Sequence, residues 1–336
     1  VSTGSKTDTP LIEGLDTVPY LTNKTIFDLV KKPPKLLIIG GGTIGSELGQ
    51  AHRRLGCEVT ILEIEKMLNN EDPELSEIVR MRMLREGVVI REKIEILGVT
   101  RDADGITIKI SENETEEYVK GSDLLVVSGR VPDLADLNLD VAGIEYTERG
   151  IKVDDRLRTS NKKVFAIGDA VGSFPFTHSA SYHAGVVIRN ALFGLPAKVN
   201  YSALPRVTYT DPELAHVGLT ERQAREKYSA IRVLRHPFSE NDRARTEGEV
   251  DGLAKIITTT KGVVVGASIV GTRAGELIQL WILPIKNKMK IGTIAGLIIP
   301  YPTLGEVSKR AAGSFYTPKL FSEKTKKIVR FLLSLR

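Results

Sequence analysis

A chain of 336 residues, 41% apolar and 26% charged, is long enough for two or three globular domains and has no compositional mark of disorder. Its formal charge of +5 is small, and basic residues interleave with acidic ones until the last stretch, which speaks against a nucleic-acid groove. No run of about 18 apolar residues suggests a spanning helix, and no basic-then-apolar leader opens the chain. The one cysteine, Cys57, excludes a disulfide or a cysteine-pair metal site within this chain, so a cytoplasmic location without metal is the default expectation.

Lys31-Lys32-Pro33-Pro34-Lys35 reads as a linker, and Leu36-Leu37-Ile38-Ile39 behind it as a short strand buried on both faces. Glycines follow at once. Thr43 to Leu55 carries apolar residues at helical spacing, Gly56 stops that helix, and Glu58 to Leu62 is the next strand. A helix over Pro73 to Glu86 precedes β-rich text: Ile90 to Leu97, Ile106 to Ser111, Glu116 to Val119 and the buried strand Asp123 to Ser128. This is a doubly wound α/β pattern with a β insertion. From Gly150, strands at Ile151 to Val153 and Val164 to Ile167 and a helix at Ser179 to Leu192 read as a second nucleotide-binding region. Beyond Tyr201, strands at Arg206 to Tyr209, Ile231 to Pro237, Gly252 to Thr259 and Val263 to Val270 alternate with helices at Glu221 to Glu226, Gly275 to Asn287, Ile291 to Ala295 and Leu304 to Ser314, a third unit of α+β type. The tail from Lys324 to Arg336 is basic on one face and apolar on the other; it reads first as a terminal helix packed on its own domain and second as one lying on an anionic membrane surface.

Gly40-Gly41-Gly42-Thr43-Ile44-Gly45 places G-x-G-x-x-G directly after a buried strand and at the opening of a helix, the context in which the pattern carries meaning. Gly40 permits the tight turn, Gly42 removes the side chain that would hold the backbone off a pyrophosphate, and Gly45 lets helix and strand approach. The amides of Thr43 to Glu47 then meet the phosphates at the favourable end of the helix dipole. Glu63, roughly 20 residues on, can accept both ribose hydroxyls of the adenosine half and would repel a 2'-phosphate, so NAD is preferred over NADP. Cys57 is most simply a small buried residue.

Thr159-Ser160-Asn161 followed by Val164-Phe165-Ala166-Ile167-Gly168-Asp169 resembles the pyridine nucleotide-disulfide oxidoreductases, and the resemblance covers nearly the whole chain. It implies Rossmann-like nucleotide-binding domains followed by a C-terminal α+β dimerisation domain, with FAD and NAD as cofactors. Gly168-Asp169 looks like the family's second flavin motif, whose aspartate takes hydrogen bonds from flavin hydroxyls; alone, Asp169 would read as a turn or capping residue. Phe176-Thr177-His178 resembles the stretch lining the isoalloxazine, with Thr177 at the flavin, and Thr3-Gly4-Ser5 the segment closing the first flavin-binding half. Gly129-Arg130-Val131-Pro132 resembles the element that ends the NAD domain, which puts Gly129 at the dinucleotide. Glu47 would approach the nicotinamide or else stand as an exposed helix carboxylate. The run Tyr209-Thr210-Asp211-Pro212-Glu213 to Val217-Gly218-Leu219-Thr220-Glu221 is similar to the family's interface domain and implies a homodimer. The plan is a flavin-domain remnant and linker at 1–27, an NAD domain at 28–147, the second flavin part at 148–200, the interface domain at 201–322 and the tail at 323–336.

Two family parts, the first glycine-rich flavin fingerprint and the redox cysteine pair, are absent from this text, and the abrupt Val1 start reads as an N-terminal truncation, with a degenerate flavoprotein as the alternative. Ile299-Pro300-Tyr301-Pro302-Thr303-Leu304-Gly305-Glu306 resembles the element in which dihydrolipoamide dehydrogenases place a catalytic histidine and its glutamate. Here Tyr301 stands in that place, which is similar to mercuric reductases, although the C-terminal cysteine pair of those enzymes is also lacking, and Glu306 either orients it or supports a helix dipole. A tyrosine near pKa 10 stays protonated at neutral pH and serves as a donor or a metal-facing hydroxyl rather than a thiol base. Two functions are carried forward: an enzyme passing hydride from NADH through flavin to a disulfide-type small acceptor, and a non-catalytic nucleotide-binding or assembly module. The enzyme would be cytoplasmic, or peripheral on the inner membrane face through its tail.

Overall fold

In the computed structural model of the chain, which describes residues 1–335, contacts gather into two units: Val1–Leu68 with Leu84–Tyr201, and Asn69–Met83 with the chain from Ser202 onward. The first unit opens with β1 (Ser5–Thr7), β2 (Lys35–Ile39), helix α1 (Thr43–Arg54) and β3 (Glu58–Glu63). Helix α2 (Pro73–Arg85) has its residues as far as Met83 in the second unit. The first unit resumes with β4 (Val89–Glu92), β5 (Glu95–Asp102), β6 (Gly105–Glu112), β7 (Thr115–Gly121), β8 (Asp123–Val126) and β9 (Arg130–Pro132), then the short pair β10 (Tyr146–Thr147) and β11 (Gly150–Ile151) and helix α3 (Thr177–Ala191).

A four-stranded parallel sheet, ordered β4-β3-β2-β8, carries this unit. Strand β2 is apolar after Lys35 because both faces are covered, whereas the edge strand β4 carries Arg91 and Glu92 and buries none of its residues. On one face Leu37, Ile39, Leu62, Leu124 and Val126 pack with Ile106, Ile108 and Ile110 of the antiparallel meander β5-β6-β7. On the other, α1 lies so close that a Cβ on Gly49 would come within 3.0 Å of the Ile61 side chain and 3.2 Å of that of Ile38.

Two expected strands come out differently. Ile90 to Leu97 is two strands in two sheets, because the chain turns at Lys93 (φ 58°), whose amide donates to Glu65 O at 2.9 Å. Val164 to Ile167 is not a strand: only Phe165 bridges Arg158, while the amide of Ala166 donates to Leu157 O, so the segment pairs with a tight loop instead of a ladder.

The second unit is built on a five-stranded antiparallel sheet in the order β12-β13-β16-β15-β14, from β12 (Pro205–Thr208), β13 (Glu213–Gly218), β14 (Ile231–Pro237), β15 (Leu253–Thr259) and β16 (Val264–Gly271). Strand β13, between β12 and β16, was not among the expected elements; its apolar run is interrupted by His216, which is buried. The His216 imidazole satisfies itself by donating from Nε2 to Gly218 O (2.9 Å) and accepting at Nδ1 from Ser268 Oγ (2.7 Å), and burial pushes its pKa down to about 3. Helices α4 (Glu221–Lys227), α5 (Asp242–Glu247), α6 (Ala274–Leu277), α7 (Gln279–Lys286), α8 (Gly292–Ala295), α9 (Glu306–Gly313), α10 (Thr317–Leu320) and α11 (Glu323–Ser334) complete it. The expected helix from Gly275 to Asn287 is thus two, meeting at Ile278, and Trp281 at the core is anchored by its indole N–H to Ser308 Oγ at 3.1 Å.

Lys255 of β15 is buried, with its ammonium 2.7 Å from Asp72, 2.8 Å from Glu221 and 2.9 Å from Glu74. Three carboxylates around one ammonium leave the buried charge fully partnered, and removing the cation would strand Asp72, itself buried. The Glu74 carboxyl is held at about 2, first by the Arg235 guanidinium and then by Lys255, against the opposing effect of burial. A depressed carboxylate adds stability that is present above its unfolded value of about 4.5 and is lost as pH falls toward about 2. Lys255→Gln is expected to cost about 3–5 kcal/mol in urea unfolding, and Arg235→Gln to flatten the loss of stability across that acid window in thermal melts.

Candidate functional site

The turn between β2 and α1 is tightly packed. Gly40, at φ +110°, carries the chain off the strand, and a Cβ on Gly45 would fall 1.9 Å from Gly40 O. Gly42 is different: a Cβ there would meet nothing within 4 Å, and as the N-cap of α1 it offers no side chain to occupy the first-turn amides. The result is an open cradle of peptide at the positive end of a 12-residue helix, which fits a diphosphate. Thr43 is exposed beside it, and Glu47 is half-buried one turn further along.

Beside this turn lies a cavity of about 340 Å³ lined by Gly40, Glu63 and Ser128 and by the apolar side chains of Ile12, Leu62, Ile64, Ile94 and Ile96 among others. Glu63 ends β3, and its carboxylate is already oriented: Oε2 accepts the Gly41 amide at 2.6 Å and Oε1 the Glu65 amide at 2.9 Å. An apolar slot with one fixed carboxylate at its edge suits an adenine with its ribose. Gly129 is not in that lining; its carbonyl accepts the Asp8 amide at 3.0 Å, and its neighbour Ser128 lines the slot instead.

A second cavity, of about 540 Å³, gathers Thr3, Gly4, Gly168, Asp169 and Thr177, all five residues expected at the flavin, together with Ser5, Arg130 and Ile44 of the phosphate helix. Segments more than 100 residues apart in sequence meet here through one polar knot. Ser5 Oγ donates to Asp169 Oδ2; Arg130 Nε donates to Ser5 Oγ at 2.8 Å and Arg130 Nη2 to Ser5 O at 3.0 Å. The same guanidinium stands 3.8 Å from Asp169 Oδ2. The Gly168 turn is pinned from behind by His183, buried in α3, whose Nδ1 accepts the Gly168 amide at 3.0 Å and whose Nε2 meets Tyr201 Oη at 2.7 Å. Because Nδ1 accepts, the proton sits on Nε2, and burial lowers the imidazole pKa, keeping it neutral. Ser5 and Arg130 stand inside motifs the sequence singled out. His183 gave no signal, sitting among small and apolar residues of α3 outside the recognised stretch that holds His178.

The two candidate catalytic residues lie in the second unit. Tyr301 is exposed, and its hydroxyl donates to Asp242 Oδ2 at 3.1 Å, so its orienting partner is Asp242 and not Glu306, which opens α9 in its first turn. The loop is held by Asn241, whose side-chain amide donates to Thr303 O at 3.1 Å while its oxygen caps α5. The hydrogen bond to Asp242 raises the Tyr301 pKa and keeps the phenol protonated. Cys57 is fully buried, and desolvation raises its pKa, which disfavours a thiolate.

The family model of the pyridine nucleotide-disulphide oxidoreductases matches residues 1–184, and that of their dimerisation domain matches residues 204–312. The chain belongs to this family. Among pyridine nucleotide-disulphide oxidoreductases it is 36% identical over 318 residues to a mercuric reductase of Bacillus cereus, which covers 94% of the chain and 50% of that protein. To a dihydrolipoyl dehydrogenase of Bacillus subtilis it is 39% identical over 284 residues, covering 83% of the chain and 60% of the relative. A solved copper(II) complex of an HOCl-induced flavoprotein disulfide reductase from Escherichia coli superposes with a TM-score of 0.85 at 26% identity, over 91% of this chain and 71% of that one. The chain therefore spans about half to three-fifths of the length of these two curated relatives. The family binds FAD and NAD(P)H, and the fold found here is the one the motifs implied. No helix among the described residues is long and apolar enough to cross a membrane.

The glycines separate by what surrounds them. Gly42→Val should leave the thermal midpoint unchanged, since its side chain would enter open space, and should weaken NAD(P)H binding at least about tenfold in a fluorescence titration by covering the cradle. Gly45→Ala should lower the thermal midpoint, since its Cβ has no room.

Proposed function

We propose that this chain forms the NAD-binding, second flavin-binding and dimerisation parts of a cytoplasmic, homodimeric flavoprotein that passes hydride from NADH to a disulfide-type or related small acceptor. The observation that carries the reading is helix α1. Its glycine turn borders the adenosine slot at Gly40, and its Ile44 lines the cavity of Asp169 and Thr177, so one element serves both a dinucleotide and a flavin. Bound FAD supplies a two-electron carrier between nicotinamide and acceptor.

The chain's own residues bind and orient. The amides from Gly42 to Gly45 hold the diphosphate, and Glu63 accepts the ribose hydroxyls, which favours NAD over NADP because a 2'-phosphate would meet its carboxylate. Asp169, steadied by Ser5 and Arg130, takes flavin hydroxyls, and Thr3, Gly4 and Thr177 line the same site. Glu47 faces the nicotinamide from the second turn of α1, and Gly129 ends the domain. At the acceptor end Tyr301, kept protonated by Asp242, presents a phenolic hydroxyl in place of a thiol base, a role that fits a mercuric reductase-like acceptor better than dihydrolipoamide. Glu306 remains in the first turn of α9, where its charge supports the helix dipole.

The test is reconstitution of the full-length polypeptide with FAD. A flavin spectrum bleached by NADH without oxygen is the expected result; a colourless, unreactive preparation would leave the non-catalytic module. Glu63→Ala is expected to weaken NADH binding by about 1–3 kcal/mol, as for a lost charge-assisted hydrogen bond, with NADPH binding improved relative to NADH. Tyr301→Phe should slow reoxidation by the acceptor while leaving flavin reduction by NADH unchanged, and equal effects on both half-reactions would remove Tyr301 from the acceptor site.

A further inference from the structure

Beyond the match to the dimerisation domain, which ends at residue 312, the chain closes on α10 and α11. The expectation that the terminal helix packs on its own domain does not hold, for none of the residues of α11 is buried. Ile328, Val329, Phe331, Leu332, Leu333 and Leu335 are each 47–68% exposed, and Leu320 and Phe321 before them are 59% and 71% exposed. The helix is nonetheless well started: Ser322 Oγ accepts the Thr325 amide at 3.3 Å, and Thr325 Oγ1 donates to Lys319 O at 2.7 Å. A capped helix with a continuous uncovered apolar stripe marks an interaction surface.

The pattern of charge chooses the occupant. At 100° per residue Ile328, Phe331, Leu332 and Leu335 share one stripe, Val329 and Leu333 widen it, and Lys326, Lys327 and Arg330 occupy the opposite arc. The one acid of the helix, Glu323, is already paired with Lys326 at 2.8 Å. Lys324, one turn before Ile328, lies in line with the stripe itself. A second protein helix laid on that stripe would have to bury the ammonium, whereas a bilayer lets its stem lie with the apolar residues and its charge reach the headgroups. Four cations, Lys324, Lys326, Lys327 and Arg330, fall within its twelve residues, a composition that suits a helix lying along the surface rather than one crossing a hydrocarbon core. We propose that α11 lies in the plane of an anionic bilayer surface, with its stripe at the boundary of headgroups and acyl chains, and makes this oxidoreductase a peripheral membrane protein.

The 336-residue chain can be tested directly by co-sedimentation with vesicles of phosphatidylcholine alone or with phosphatidylglycerol added. Binding is expected to the anionic vesicles and to weaken as salt rises. The triple variant Lys326→Gln, Lys327→Gln, Arg330→Gln should bind on the order of a hundredfold more weakly. Phe331→Ser with Leu332→Ser should abolish binding while the thermal midpoint stays unchanged, since neither side chain is buried. The proposal is overturned if the wild-type chain stays in the supernatant, or if both variants bind as it does. A lower sedimentation coefficient of the Phe331/Leu332 variant without any vesicle binding by the parent would assign the stripe to a second copy instead. None of these readouts depends on flavin or NADH, so failure here leaves the proposed oxidoreductase function standing.

Discussion

The first unit depends on how closely helix α1 approaches the end of β2. Gly45 sits against Gly40 O and Gly49 against Ile38 and Ile61, so the helix axis is held where only hydrogen atoms fit between helix and sheet. That closeness aims the helix N-terminus at the strand ends and leaves the Gly42 peptide facing open space. An anion there meets backbone dipoles that cost nothing further to orient. Glu63 reaches the same turn from the neighbouring strand, because β2 and β3 run parallel and in register from Lys35 opposite Glu58. The glycine turn and the carboxylate are thus one construction, joined by the hydrogen bond from the Gly41 amide.

The cavity at Asp169 is built on a different principle. Where the glycine cradle is local, Ser5, Arg130 and Asp169 come from three distant stretches, and their hydrogen bonds hold the termini of β1 and β9 against the Gly168 turn. A partly buried carboxylate between a hydroxyl and a guanidinium has its charge satisfied before any ligand arrives. His183 performs the same service for the backbone of Gly168 by accepting its amide with a neutral ring nitrogen. Polar groups placed behind a site in this way fix the geometry of those that face a ligand.

The second unit balances charge in two ways. Lys255 is a buried cation made tolerable by three carboxylates, and its cluster ties the residues from Asn69 to Met83 to the C-terminal sheet. Tyr301 and Asp242 instead form an exposed pair on a loop clamped by Asn241. The first arrangement serves stability; the second holds a phenol in its protonated form at the surface of the domain. The tail adds a third pattern, with cations on one arc and uncovered aliphatic side chains on the other.

What the sequence determined by itself was whatever depends on neighbours along the chain. The apolar run before Gly40, the glycine spacing, the carboxylate at Glu63 and the helix over Thr43 onward are local signals, and the elements they implied are present within a residue or two. The family resemblance likewise named five residues that line one cavity, Thr3, Gly4, Gly168, Asp169 and Thr177. Tertiary structure decided what depends on distant partners. It broke Ile90 to Leu97 at Lys93, because a single apolar run does not reveal that its halves join different sheets. It gave Tyr301 to Asp242, 59 residues away, where the sequence had left the nearer Glu306 either as its partner or as a helix-dipole carboxylate, and it brought in His183 without any sequence cue. It also left α11 uncovered, since amphipathic periodicity shows that a helix has an apolar face but is silent on what lies against it.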